Sequence, residues 1–180
     1  MKRAFYLTLI PTLWFGGCFY VAPLEQEDDP EDTMPTISVI NPGAGVVEID
    51  LATGTGQTFV ISDYGDDNLD QPLYHRIVMD FRPAGVTANA ILATVPKEIP
   101  PQSRDAISYL VRPCDYQATF LGAIEDGRAF DLYVLLSDEA FLHQNEKFQN
   151  SDYQQVFETS TGRGAVSIQW TVLLHGACSE

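Results

Sequence analysis

Regular alternation of apolar and polar side chains is the pattern that most restricts the fold of this chain. Gly164–His175 places Val166, Ile168, Trp170, Val172 and Leu174 in alternation with Ser167, Gln169, Thr171 and Leu173. A period of two places successive side chains on opposite faces of a strand, whereas a helical face recurs about every 3.6 residues. The C-terminal segment is therefore predicted to be a β-strand with one apolar face.

The same kind of evidence predicts strands along the rest of the chain. In Leu73–Phe81 one face carries Leu73, His75, Ile77 and Met79. Turn-forming residues separate this segment from six other predicted strands, which are Thr36–Ile40, Val46–Asp50, Gln57–Ser62, Ala90–Val95, Ala106–Arg112 and Phe130–Ser137. The polar segment Glu139–Asp152 is expected to be a long loop or a short helix. The fold class is therefore all-β, an antiparallel sandwich of about seven to eight strands.

Two stretches of the sequence resemble bacterial surface domains of the Ig-like class. Thr58–Asp80 is similar to their strand, Asp-rich loop and following strand, with Tyr74 at the position of a family tyrosine. The segment Leu135-Leu136-Ser137-Asp138 resembles the end of a later family strand. The family's core tryptophan is absent there, and Trp170 is expected to fill its volume. The resemblance implies an Ig-like β-sandwich over residues 36–180, and it implies a fold without a particular function.

The N-terminus has the composition of an export signal. Met1-Lys2-Arg3 is basic, and the following Ala4–Leu13 is mostly apolar. The apolar run is shorter than the roughly 20 residues that a membrane-spanning helix needs. Plain secretion, with a cysteine at this position by chance, stays open as an alternative.

The end of this signal resembles the processing site of bacterial lipoproteins. Phe15-Gly16-Gly17-Cys18 has the small residues and the cysteine of that motif, with Phe15 in place of the usual leucine. The resemblance implies removal of residues 1–17, lipidation of Cys18 and membrane attachment through the lipid anchor. Phe19 stands where an aspartate retains lipoproteins at the inner membrane, which favours the outer membrane of a Gram-negative bacterium.

Residues 18–35 are predicted to form a flexible acidic tether. Glu25–Asp32 contains six acidic side chains in eight residues, and such a run repels itself and stays solvated. A calcium-collecting tail is the alternative. The formal charge of the whole chain is −15, and it becomes −17 when Lys2 and Arg3 are removed with the signal. This charge argues against binding to nucleic acid, because the phosphates would be repelled.

Two cysteines remain after Cys18 is assigned to the lipid. Cys114 and Cys178 are an even pair in an exported protein, which predicts a disulfide. Two unpaired thiols are the alternative. A metal site at these cysteines is not expected, because no CxxC or HxxxH spacing accompanies them.

An acidic loop supplies the candidate metal ligands of the chain. Its oxygen-bearing side chains are Asp63, Asp66, Asp67, Asn68 and Asp70. Calcium takes six to eight oxygen ligands, so the cluster is a candidate Ca²⁺ site. Its similarity to an EF-hand loop ends at Gln71, where a glycine is required. The alternative is a solvated loop in which Asp and Asn side chains form Asx turns.

No catalytic motif accompanies these features. GxSxG and HExxH are absent, and the three histidines (His75, His143 and His175) lie in predicted strands or a polar loop. The chain is therefore predicted to be a non-catalytic, lipid-anchored protein of the cell envelope with no cofactor. It would serve as a structural or protein-binding module. The alternatives are a calcium- or carbohydrate-binding module, with a glycan partner, and an enzyme with an unrecognised site.

Overall fold

The computed structural model describes residues 34–68, 70–81, 91–101, 103, 105–120 and 124–179. The chain divides into two units, Met1–Glu31 and Asp32–Glu180, and all described residues belong to the second. The predicted signal, Cys18 and the acidic run of the tether lie outside the described residues.

Ten strands form the described domain. They are β1 (Thr36–Asn41), β2 (Gly45–Asp50), β3 (Gln57–Gly65), β4 (Leu73–Asp80), β5 (Ile91–Ala93), β6 (Lys97–Ile99), β7 (Ile107–Val111), β8 (Ala129–Ser137), β9 (Lys147–Phe148) and β10 (Val166–His175). All eight predicted strands are present, with small shifts of their ends. The short strands β6 and β9 were not predicted from the sequence.

The strands form two sheets, which confirms the predicted all-β sandwich. One sheet has the order β1-β3-β7, and the other has the order β2-β10-β8-β4-β5-β9, with β6 paired to β4. The β2–β10 ladder is parallel, so this pair departs from the predicted antiparallel pattern.

The space between the sheets contains the main hydrophobic core. Trp170 on β10 is fully buried, and its ring meets Phe59 on β3 edge to face with centroids 5.1 Å apart. The indole Nε1 donates hydrogen bonds to the carbonyl oxygens of Pro42 at 3.0 Å and Gly43 at 3.2 Å. Trp170 is therefore a core residue, as the sequence predicted, and its polar atom is satisfied by backbone oxygens.

A second apolar cluster lies on the outer face of the larger sheet. The connection between β8 and β10, residues 138–165, places Phe141, Phe148 and Val156 against Val78 of β4 and Leu135 of β8. Both faces of β4 are therefore buried. The predicted alternation of β4 is correct, but its second face packs against this connection instead of meeting solvent.

Hydrogen bonds from Arg76 link the connection between β8 and β10 to the sheet. Its guanidinium donates hydrogen bonds to the carbonyl oxygens of His143 at 3.0 Å, Asn145 at 2.9 Å and Thr94 at 3.2 Å. It also lies 5.5 Å from the centroids of two aromatic rings, those of Phe141 and Phe148. Burial lowers the pKa of Arg76 to about 10, so the side chain remains charged at neutral pH.

A disulfide bond links the residues that follow β10 to another part of the domain. Cys114 and Cys178 form a disulfide with a Cα–Cα distance of 5.6 Å, which confirms the predicted pairing. It joins the 3₁₀ segment Pro113–Tyr116, which follows β7, to the residues after β10. The end of the last strand is thus tied to the connection that leaves the smaller sheet.

Candidate functional site

An open groove lies on one side of the sandwich, between strands of the two sheets. Its volume is about 310 Å³. One wall comes from β6 and the other from the start of β7 and the residues before it. The lining residues are Tyr64, His75, Lys97, Glu98, Ile99, Pro100, Ser103, Asp105, Ala106, Ile107 and Ser108. This volume is at the small end of the range for ligand pockets, and the groove is open rather than enclosed.

Two strand edges border the groove. In the part of the chain that the structure describes, β7 pairs only with β3, and β6 pairs only with β4. Each strand therefore has one side whose backbone N–H and C=O groups have no strand partner. Such an edge can accept another strand through main-chain hydrogen bonds.

The side of the groove formed by β4 has a neutral histidine. His75 Nδ1 is hydrogen-bonded to the Tyr109 hydroxyl, and the two rings meet edge to face with centroids 5.6 Å apart. Burial, and then the positive charge of Lys97, lower the pKa of His75 to about 4. Burial raises the pKa of Tyr109 above its ordinary value. Both side chains are therefore uncharged at neutral pH.

A hydrogen-bond chain fixes the proton positions in this pair. The Ile77 amide donates to Thr94 Oγ1 at 3.0 Å, and the Thr94 side chain is hydrogen-bonded to Tyr109. Because the Thr94 oxygen accepts from the amide, its hydroxyl can donate to the Tyr109 oxygen. The Tyr109 hydroxyl then donates to His75, which leaves Nδ1 as the acceptor and places the ring proton on Nε2.

Two acidic residues belong to the groove lining. Glu98 and Asp105 are both exposed. The Tyr64 hydroxyl donates to the Asp105 carbonyl oxygen at 2.7 Å, so the end of β3 lies beside the start of β7. The loop of residues 66–72 runs from this end of β3 to the start of β4, where Leu73 pairs with Ile99. Its Asp residues therefore lie at the same end of the domain as the groove.

The structure corrects the extent of the acidic loop. Asp63 is not in the loop but in β3, paired with Val39 of β1, because the β1–β3 ladder continues to Gly65. Asp66 is buried, and its Oδ1 accepts from the Asn68 amide at 3.0 Å. Asn68 Oδ1 in turn accepts from the Asp70 amide at 3.4 Å. Both contacts are Asx turns, which are the alternative to a Ca²⁺ site that the sequence left open for this loop.

The remaining predicted ligand, Asp67, is exposed in the same loop. Among the described residues, no three His, Cys, Asp or Glu side chains come together in a group that could hold a metal ion. A Ca²⁺ site formed by this loop stays a prediction from the sequence.

Sequence reasoning missed the groove itself. His75 and Tyr109 are separated by 34 residues, and they meet only because β4 and β7 lie in facing sheets. The β6 wall is a three-residue strand between Pro96 and Pro100, which is too short for a period to be recognised. No local pattern could have joined these residues.

No protein-family model matches the chain, and no curated protein matches it significantly. Within the described residues, no helix has both the length and the apolar character needed to cross a membrane.

Proposed function

We propose that this protein is a non-catalytic, lipid-anchored component of the bacterial cell envelope whose β-sandwich binds a protein partner by edge-strand addition. The observation that supports this function best is that β6 and β7, beside one open groove, each have an edge with no strand partner among the described residues. Edge-strand addition uses backbone hydrogen bonds for affinity and adjacent pockets for selectivity. The groove and its bordering edges offer both kinds of contact.

The other broad surface of the domain is less suited to a partner. Residues 138–165 cover the outer face of the β4–β8 region, and Arg76 holds them there through carbonyl oxygens of the connection. A partner would have to displace this packed layer before it reached the sheet. The edges of β6 and β7 need no such displacement.

The proposed membrane attachment rests on the signal sequence. Lipid on Cys18 would hold the domain at the membrane, with the acidic tether as a spacer. One acyl chain binds a membrane reversibly, whereas the several chains of a bacterial lipoprotein give a stable anchor. Because Phe19 stands where an aspartate would retain a lipoprotein at the inner membrane, we place the anchor in the outer membrane.

Mass spectrometry of the native protein tests the anchor. We expect an N-terminus at Cys18 that carries acyl mass, and we expect a Cys18→Ser variant to leave the membrane fraction. An unmodified N-terminus at another residue would contradict the anchor and would leave the binding activity of the domain to be judged by its own experiment.

Site-specific photo-crosslinking in the native envelope tests the binding function. A photoreactive residue replaces Ser108, which is exposed on β7, or Ser167, which is exposed on β10 and serves as the matched control. We expect a discrete crosslinked protein from position 108 and none from position 167. Absence of a crosslink at 108, or equal products at both positions, would reject edge-strand binding.

A further inference from the structure

We infer that the groove between β6 and β7 receives an extended polypeptide segment that carries basic side chains. This inference rests on the proposed binding function and adds the chemistry of the partner.

The extended conformation follows from the groove walls. Lys97–Ile99 and Ala106–Ser108 line the groove and come from different sheets, and each stretch belongs to, or begins just before, a strand with an unpartnered edge among the described residues. An edge strand offers hydrogen bonds in a repeat that only an extended backbone can match. A helix would satisfy its own N–H and C=O groups and would leave both edges unpaired.

The preference for basic side chains follows from the charges around the groove. Asp105 is an exposed residue of the lining, Glu98 is exposed on the edge strand β6 on the face that it shares with Tyr74, and Asp67 and Asp70 are exposed in the neighbouring loop at the same end. Among the described residues that line the groove, Lys97 is the one with a cationic side chain. Because His75 is neutral at neutral pH, it adds no positive charge. A segment with Lys or Arg would thus meet a complementary negative potential.

The same charges disfavour a second copy of this chain as the occupant. The formal charge of each copy is −15, and it becomes −17 once Lys2 and Arg3 are removed with the signal. Pairing β7 with β7 of a second copy would bring two strongly acidic domains together. Like charges placed in this way oppose association and are the usual means by which a wrong partner is excluded.

Peptide binding to the full lipidated chain in detergent tests this inference. The probes are a short peptide that alternates Lys and Val, and a matched peptide that alternates Glu and Val. We expect the basic peptide to bind at least about ten-fold more tightly at low salt, and this preference to shrink at about 0.15 M salt. Amide resonances of Ile107–Val111 and Lys97–Ile99 should shift on binding.

Variants of the groove charges give effects of opposite sign. Glu98→Gln combined with Asp105→Asn should weaken binding of the basic peptide about five-fold, whereas Lys97→Gln should strengthen it about two-fold. Glu48→Gln combined with Glu125→Gln removes two exposed acids that do not line the groove and should leave the affinity unchanged.

A bulky substitution in the groove tests whether the peptide binds there. Ala106→Trp should block the groove, and Ala118→Trp places the same side chain at an exposed position that does not line it. Only the first should abolish binding. The Ala106 variant is accepted as evidence only if its circular dichroism matches the parent protein.

Three results would overturn the inference. They are equal affinity for the acidic peptide, amide shifts confined to other strands, and concentration-dependent pairing of two copies through β7. If the crosslink at Ser108 identifies a partner and the basic peptide does not bind, the proposed function stands and the basic segment is rejected. If position 108 gives no crosslink and the basic peptide does not bind, both the proposed function and the basic segment are rejected.

Discussion

Arg76 Nη2 donates a hydrogen bond of 2.9 Å to the carbonyl oxygen of Asn145, which is 69 residues later in the chain. This contact joins the fourth strand to the connection that covers the outer face of its own sheet. Arg76 is buried, and backbone oxygens and two aromatic rings surround its charge. Replacement of Arg76 therefore affects the packing of this connection on the sheet as well as one hydrogen bond.

Replacement of Arg76 by methionine should destabilise the domain strongly. We expect the free energy of unfolding to fall by about 3 kcal/mol, because several buried carbonyl oxygens lose their donor at once. Urea denaturation measures this change, and amide exchange should quicken in residues 141–157. Arg128→Met, at an exposed position, is the control and should change stability by less than about 0.5 kcal/mol. Equal effects of the two substitutions would contradict the role of Arg76.

Acidification should destabilise the domain through His75. Its folded-state pKa of about 4 is below the ordinary value of 6.5, so the unfolded chain binds the proton first as the pH falls. The stability that His75 contributes is complete above pH 6.5 and is lost as the pH falls towards 4. At about pH 4.5 the loss should be about 2.5 kcal/mol relative to neutral pH.

The matched variant for this experiment is His75→Gln. It lacks the titrating ring, so its stability should fall less between neutral pH and about pH 4.5. The difference between the two proteins isolates His75 from other acid-sensitive groups, such as Glu139. Desolvation acts to raise the pKa of Glu139, but hydrogen bonds from Thr161 and Thr159 and the positive charge of Arg163 together lower it. Parallel pH profiles of the two proteins would contradict this prediction.

Loss of the disulfide should weaken the fold without changing its strand order. Cys114 and Cys178 are 64 residues apart, and closing a loop of this length in the unfolded chain corresponds to at most about 4 kcal/mol. We expect the double variant Cys114→Ser and Cys178→Ser to unfold with about 2–4 kcal/mol less stability. The reduced parent protein should behave in the same way, and an unchanged urea midpoint in both would disprove the prediction.

The indole hydrogen bonds of Trp170 should contribute measurably to stability. Trp170→Phe keeps an aromatic ring against Phe59 but removes the donor to the Pro42 and Gly43 carbonyl oxygens. The expected loss is about 2–3 kcal/mol, from the smaller ring and the unpaired carbonyl groups together. Ile168→Val, at a half-buried position on the same strand, should cost less than about 1.5 kcal/mol. A Trp170→Phe loss no larger than that of the control would argue against this account.

More of the fold than of the groove could be predicted from the sequence. The alternation in β10 sets both its strand conformation and its buried face, and the structure buries Trp170, Val172 and Leu174 as that pattern requires. In β4 the same pattern predicts the strand but not the burial of Arg76. The residues that cover Arg76 belong to a polar segment with no recognisable period.

The groove depends on contacts that no local pattern contains. Its side chains come from the ends of β3 and β4, from β6 and from the start of β7. Only the pairing of β4 with β6, and the packing of the two sheets, bring His75 near Tyr109 and Lys97. Spacing along the chain contains no information on these distances, so the sequence indicated the sandwich but not its open side.

The parallel β2–β10 ladder has a mechanical consequence. Its register runs from the Gly45–Trp170 pair to the Asp50–His175 pair, so both strands point in the same direction. A pull on the chain before Gly45 and after His175 acts on opposite ends of the two strands. The force is then directed along the strands and loads the hydrogen bonds of the ladder together, in shear, instead of opening them one after another. A domain stretched between these two points would therefore resist extension at this ladder.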